Sequence, residues 1–285
     1  MKLKPKQQKL AELADFFRCP LCKSAFQTPV SGALKCTNGH NYDISSSGTI
    51  NFAPNQRPML YDGELFIRRR RIFEQGSYQP LLHKLGQIIG SLPVPGGTAH
   101  PPFLVDAGCG EGYYSKNLAE STGWNVLGFD LSKEAIALAA RGDHRAAFVT
   151  ADITNIPLQD EAADLILDVF TQSNYGEFLR ILKPTGCLIK VIPGPDYLTE
   201  IRSLISGSLK VKEPARDKVA ELFSSHFSLL EKQSIRYTVA VNEASFRDFF
   251  HMTPLTFGYK GELPAIHPET ITMDVQILLG KNTRP

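Results

Sequence analysis

The chain of 285 residues is 42% hydrophobic and 21% charged, with 31 Lys and Arg against 29 Asp and Glu. This composition excludes a disordered or collagen-like chain, and the length accommodates one full domain plus a small appendage. A net charge of +2 does not by itself define a polyanion-binding protein, so the placement of charge carries more information than its sum.

In chain order, Lys2, Lys4, Lys6 and Lys9 crowd the start against Glu12 and Asp15. Cys19-Pro20-Leu21-Cys22 follows, then Cys36 and His40. A C-x-x-C turn places two thiolates on one metal, and the second pair closes a tetrahedron for zinc. The loop from Lys23 to Lys35 has the length of a small β-hairpin, which cannot bury much core, so the metal would supply much of the folding energy. Four protein ligands leave no open position, which makes the zinc structural. A redox C-x-x-C would open a helix in a βαβ unit, and this one does not. Residues 1–60 therefore read as a zinc-binding domain. Of five cysteines, Cys109 and Cys187 read as small packed residues rather than nucleophiles. The odd count argues against a disulfide framework. With no apolar leader and no run long enough to cross a bilayer, a reducing cytoplasm without membrane contact is expected.

Residues 61–102 read as a linking helix and a linker. The helical stretch runs from Asp62 to Ile89 and carries Arg68-Arg69-Arg70-Arg71. Four consecutive residues span about one helical turn, so these side chains point in different directions. Some would pack their stems while others face a cleft. Ser91 to Pro102, with Pro93, Pro95, Gly96, Gly97, Pro101 and Pro102, cannot be helical.

Residues 103–285 open with a buried strand, Phe103-Leu104-Val105, and the turn Asp106-Ala107-Gly108-Cys109-Gly110-Glu111-Gly112. A helix follows from Tyr113. Glycines at such a turn let backbone N–H groups approach a cofactor closely. A dinucleotide site would show G-x-G-x-x-G with a pyrophosphate on the helix. Here the spacing is G-x-G-x-G, and the carboxylate of Asp106 would repel a pyrophosphate but receive an ammonium. S-adenosylmethionine fits better.

The next segments support that choice. Trp124 to Asp130 is a second strand ending in an acid, at the distance expected for a ribose-binding carboxylate. Leu131 to Ala140 is a helix capped by Ser132. Phe148 to Asp152 is a third strand, followed by Ile156-Pro157 at the expected adenine position. The expected donor contacts are Asp106, Gly108, Gly110, Gly112, Tyr113, Asp130, Leu131, Asp152 and Ile153. Asp164 to Phe170 and Cys187 to Ile192 make two further strands. Asp196 to Phe227 is helical with breaks at Gly207 and Pro214, and Lys210, Lys212, Arg216 and Lys218 form a third basic cluster there. Leu229 to Val241 and Ile271 to Leu279 are the last strands, the latter antiparallel, and Asn242 caps a helix from Glu243 to His251. This order is similar to a class I S-adenosylmethionine-dependent methyltransferase, an α/β doubly wound, Rossmann-like sheet.

The combination of Cys19 to Cys22, Cys36 with His40, Arg69 to Phe73, Gly76-Ser77-Tyr78-Gln79-Pro80-Leu81, Asp106 to Ser115 and Met252-Thr253-Pro254 resembles the bacterial 23S rRNA (guanine-N1)-methyltransferase family, including its tylosin-resistance branch. The resemblance implies methylation of guanine N1 in a hairpin loop of 23S rRNA domain II near the peptide exit tunnel. It also implies a homodimer with a shared RNA cleft. In this reading Asp168, Arg69 and Arg70 are the candidate catalytic residues, the arginines facing charge that develops on the guanine carbonyl oxygen. Tyr113, Phe170 or Tyr175 would stack on the base, with core packing as the alternative for each. The segment after the fourth strand varies in the family, so no role for Asp168 transfers directly. Thr185 stands where glycine is usual, which is harmless if its φ is negative. Two other readings remain: methylation of a small molecule, and a zinc-bearing RNA-binding protein whose methyltransferase fold has decayed. The intact Asp106 and Asp130 with three glycines oppose decay.

Overall fold

In the computed structural model, described here for residues 3–27, 32–54, 63–93, 101–142, 144–206, 216–259, 261, 263 and 267–283, the first elements are α1 (Pro5–Glu12), β1 (Ala33–Lys35), β2 (Asn41–Asp43) and β3 (Thr49–Asn51). Two helices follow, α2 (Gly63–Glu74) and α3 (Gln79–Ser91). The central region is β4 (Phe103–Ala107), α4 (Tyr113–Thr122), β5 (Asn125–Asp130), α5 (Lys133–Ala139), β6 (Ala147–Thr150) and β7 (Ala163–Val169). It continues through α6 (Tyr175–Ile181), β8 (Leu182–Pro193), α7 (Thr199–Ile205) and α8 (Arg216–His226). The last elements are β9 (Phe227–Ala240), α9 (Glu243–Met252) and β10 (Thr270–Asn282).

One sheet runs in the order β3-β6-β5-β4-β7-β8-β10-β9. Strands β3 to β8 pair in parallel, while β10 pairs antiparallel with both β8 and β9. The inner strands are buried on both faces, which explains why Phe103–Ala107 and Ala163–Val169 read as apolar runs rather than alternations. The order reverses between β4 and β7, and the carboxyl ends there open the crevice where such sheets bind ligands. Helix starts follow their caps. The Ser132 hydroxyl accepts from Ala135 N–H (3.1 Å), and Asn242 with Ser245 forms a reciprocal capping box on α9. Thr185 is absent from the residues with positive φ, so it sits in β8 without strain.

Two expectations are corrected, and some lie outside what the structure describes. The helical stretch from residue 62 to 89 is two helices, broken at Gly76, whose φ of +83° suits glycine. Residues 143 and 207–215, with Lys210 and Lys212, lie outside the described residues, as do Lys2, most of the linker and the side chain of Arg216. The second correction concerns the core of the first sixty residues, which is not separate. β3 pairs with β6, and Leu10, Phe17, Phe26 and Phe52 share one buried cluster with Phe103, Val105, Phe129 and Ile166. Phe16 stacks on Phe103 at 4.6 Å, and Phe52 N–H donates to the Thr150 carbonyl (2.8 Å). A short hairpin gains more burial from an open sheet face than from itself.

Candidate active site and metal centre

The glycine turn between β4 and α4 is built on three left-handed residues: Gly108, Gly110 and Gly112 have φ of +68°, +55° and +78°. A Cβ on Gly112 would stand 2.7 Å from the Phe148 ring, and one on Gly108 would stand 2.6 Å from Thr171 Oγ1. The turn is thus pressed against the sheet on one side and against the loop after β7 on the other.

The acids fall where the strands end. Asp130 takes Gly110 N–H on Oδ2 (3.0 Å) and Ser132 N–H on Oδ1 (2.8 Å), which ties β5 to the turn. Burial raises its pKa, opposed by those N–H donors. Asp106 is 2% exposed, accepts from Ser115 Oγ (2.5 Å), and is pushed by burial up to about 7. Leu131 is half-buried beside Asp130. Asp152 and the half-buried Ile153 follow the third strand, Asp152 accepting from Thr154 N–H (2.8 Å). Ile156 and Pro157 do not offer an adenine surface: both are buried, and the Pro157 carbonyl accepts from Arg18 N–H (3.1 Å).

Asp168 lies at the end of β7, 0% exposed, with Oδ2 held by Lys190 Nζ (2.8 Å) and Ser173 Oγ (2.5 Å). Lys190 Nζ also donates to the Thr171 carbonyl (3.2 Å). This buried pair fixes the 170–174 loop, a task the sequence reading did not see because Lys190 sits in an apolar strand. Phe170 has φ of +57°, a left-handed conformation that costs a non-glycine residue on the order of 1–3 kcal/mol and clusters at functional sites. Its ring stacks on Tyr197 (5.3 Å), and the Tyr197 hydroxyl is 2.6 Å from that of Tyr78. Tyr113 is half-buried and stacks on Phe73 (4.4 Å), whereas Tyr175 is core, stacked on His226 (4.9 Å).

The four arginines diverge. Arg68 and Arg71 both pair with the buried Asp248 on α9, Nη1 of Arg68 at 3.3 Å and Nη2 of Arg71 at 2.5 Å. Arg70 is half-buried and pairs with Glu74 on its own helix (2.7 Å). Arg69 alone of the run reaches the glycine turn, with Nε 3.5 Å from Glu111 Oε1. Glu111 stands inside the glycine motif, but its partner could not be read from spacing.

In the amino-terminal unit Cys19, Cys22, Cys36 and His40 converge, their ligand atoms all within 4.8 Å of one another. His40 Nδ1 is 3.6 Å from Cys19 Sγ and 3.4 Å from Cys36 Sγ, and Cys22 Sγ is 3.6 Å from Cys36 Sγ. Bond lengths of about 2.3 Å to sulfur and about 2.0 Å to nitrogen give tetrahedron edges of roughly 3.5–3.8 Å, so the set fits zinc. A hydrogen bond with Ser24 draws the Cys22 thiol down to about 5, toward the thiolate a metal needs.

A doubly wound sheet with this glycine turn and acids at the ends of β4 and β5 is a class I methyltransferase. Residues 104–186 match the Methyltransferase domain family, and residues 17–58 match the zinc-ribbon family described as RlmA, N-terminal. The YxjB protein of Bacillus subtilis (strain 168), whose name places it among the 23S rRNA (guanine-N(1)-)-methyltransferases, is 33% identical over 93% of this chain and 96% of its own. The 23S rRNA (guanine(748)-N(1))-methyltransferase of Streptomyces fradiae is 29% identical over 90% of this chain and 94% of its own. Among solved structures, a chain from the complex of the Haloferax volcanii Trm112 activator with a methyltransferase superposes with a TM-score of 0.51 at 18% identity, covering 79% of this chain and 100% of its own; it shows the fold alone. The chain belongs to the 23S rRNA (guanine-N1)-methyltransferase family. S-adenosylmethionine and zinc are its cofactors, fitted by the glycine turn and by the Cys3His set.

Proposed function

We propose that this protein transfers a methyl group from S-adenosylmethionine to N1 of a guanine in a hairpin loop of 23S rRNA. The observation that carries the reading is the match to an rRNA (guanine-N1)-methyltransferase over 93% of the chain. A small-molecule methyltransferase would need neither the ribbon nor a basic linking helix. We extend the reading to a loop in domain II near the exit tunnel and macrolide site, to a homodimer and to a cytoplasmic setting. Among the described residues no helix is long and apolar enough to cross a membrane. Residues 1–60 form the RNA-recognition part, 61–102 the connection and 103–285 the methyltransferase part.

Gly108, Gly110 and Gly112 admit the donor, Asp130 receives its ribose hydroxyls, Asp106 faces its methionine ammonium, and Tyr113, Leu131, Asp152 and Ile153 border the nucleoside. When bound, S-adenosylmethionine supplies a methyl already activated on a sulfonium, so positioning of the acceptor supplies most of the acceleration. Guanine N1 must lose a proton and lies on the pairing edge, so the base has to sit in a loop or be turned out. Asp168 is a positioning residue here: with Lys190 and Ser173 it sets the loop on which Phe170 is held toward the acceptor side. Arg70, half-buried on the linking helix and paired there with Glu74, is a phosphate or base contact. Transfer of label from S-adenosylmethionine to undermethylated 23S rRNA should occur, and RNA affinity should fall steeply with salt as counterions are released. Label entering small quinone precursors instead would replace this reading.

A further inference from the structure

We infer that Arg69 anchors the α-carboxylate of the methyl donor, its guanidinium reaching across the glycine turn from the linking helix. This assignment rests on the reading of that turn as an S-adenosylmethionine site. It also moves Arg69 away from the guanine and onto the donor.

Three sets of contacts lead there. The helix is clamped: Arg68 and Arg71 both hold the carboxylate of Asp248, so the face that presents Arg69 is fixed. The Arg69 guanidinium carbon lies 5.9 Å from the Phe66 ring centre and 5.6 Å from that of Phe73, and Phe73 in turn stacks on Tyr113. The half-buried cation is thereby held in part by rings. The head is aimed, because Nη2 and Nη1 stand 3.5 and 3.6 Å from where a Cβ on Gly110 would be, while Nε points to Glu111.

Glu111 orients the fork, its ion pair with Nε fixing where the two Nη groups stand. It is 4% exposed, and neither carboxylate oxygen has a hydrogen-bond partner, the 3.5 Å approach of Arg69 Nε being an ion pair without one. A buried carboxylate left without hydrogen bonds is costly. A guanidinium carries five donors in a planar fork suited to a bidentate carboxylate. Glu111 engages the Nε side and leaves the two Nη groups over the turn for another acceptor.

Charge selects that acceptor. The donor's methionine arm carries an ammonium and a carboxylate. Asp106 has the sign for the donor's ammonium, and Arg69 has the sign for its carboxylate. Lys116, on the first turns of α4, is engaged elsewhere, its Nζ on the Arg141 carbonyl (3.4 Å).

The test is a cycle of protein and ligand in isothermal calorimetry on the full chain. S-adenosylhomocysteine is compared with its decarboxylated counterpart, which keeps the nucleoside, thioether and amine. The wild type should favour the carboxylate-bearing ligand by roughly 10–100-fold, the range of a charge-assisted hydrogen-bonded pair. Arg69→Met, which keeps the stem between Phe66 and Phe73, should lose that preference while binding the decarboxylated ligand as the wild type does. Arg69→Lys should fall between them, and it carries the same comparison if Arg69→Met does not fold. Equal weakening of both ligands, or unchanged preference in the variants, would overturn the assignment. Failure of the wild type to bind either ligand would instead overturn the S-adenosylmethionine reading itself.

Discussion

Asp106 carries a charge that the fold disfavours, and the direction has a measurable consequence. Burial lifts its pKa from the usual carboxylate value to about 7. A carboxyl group raised in the folded state stabilises most below its unfolded pKa of about 4, and this contribution is lost as pH rises toward 7. Asp106→Asn should therefore flatten the decline in urea-unfolding stability between pH 4 and pH 8 relative to the wild type; parallel profiles would show that Asp106 titrates normally. Asp130 is the complementary case, since its two oxygens already accept N–H groups from Gly110 and Ser132. Asp130→Ala should weaken S-adenosylhomocysteine binding by about 1.5–3 kcal/mol through the lost charged hydrogen bonds. Unchanged affinity in calorimetry would remove Asp130 from the ribose. These acids were legible in the sequence because each ends an apolar strand. Glu111, Lys190 and Asp248 were not, because their partners lie on other elements far away in the chain.

At the scale of elements, the ribbon and the sheet are joined more closely than their order in the chain suggested. The cysteine spacing was enough to find the metal site, because a C-x-x-C turn and a second pair encode their own geometry. Nothing local in Thr49-Ile50-Asn51 announces that it adds a parallel strand beside β6, since a three-residue edge strand carries no periodicity to read. The linking region shows the same limit: its apolar pattern continues through Gly76, and only the backbone conformation there splits it into α2 and α3. The shared cluster of Phe17, Phe52 and Phe103 changes what loss of zinc should do. Cys22→Ser should abolish zinc in metal analysis and lower the melting temperature of the whole chain in one transition. A separate early transition of the ribbon, with the methyltransferase part melting as before, would show that the two fold independently.

For the molecule as a whole, alternation of strand and helix from Phe103 to Ile192 defined the doubly wound sheet, and the reversal of strand order beside β4 places the donor turn at its crevice. The acceptor side was less legible. In the proposed reading it would centre on Phe170, whose ring stacks on Tyr197, which in turn meets Tyr78 through their hydroxyls, contacts between three distant segments that no spacing encodes. The most direct test is primer extension across the 23S rRNA hairpin in cells with and without the gene, because a methyl on N1 blocks pairing. The account predicts a stop at one guanine of that loop only when the gene is present, with 1-methylguanosine found there by nucleoside mass spectrometry. Identical extension in both strains, with no 1-methylguanosine gained, would contradict it.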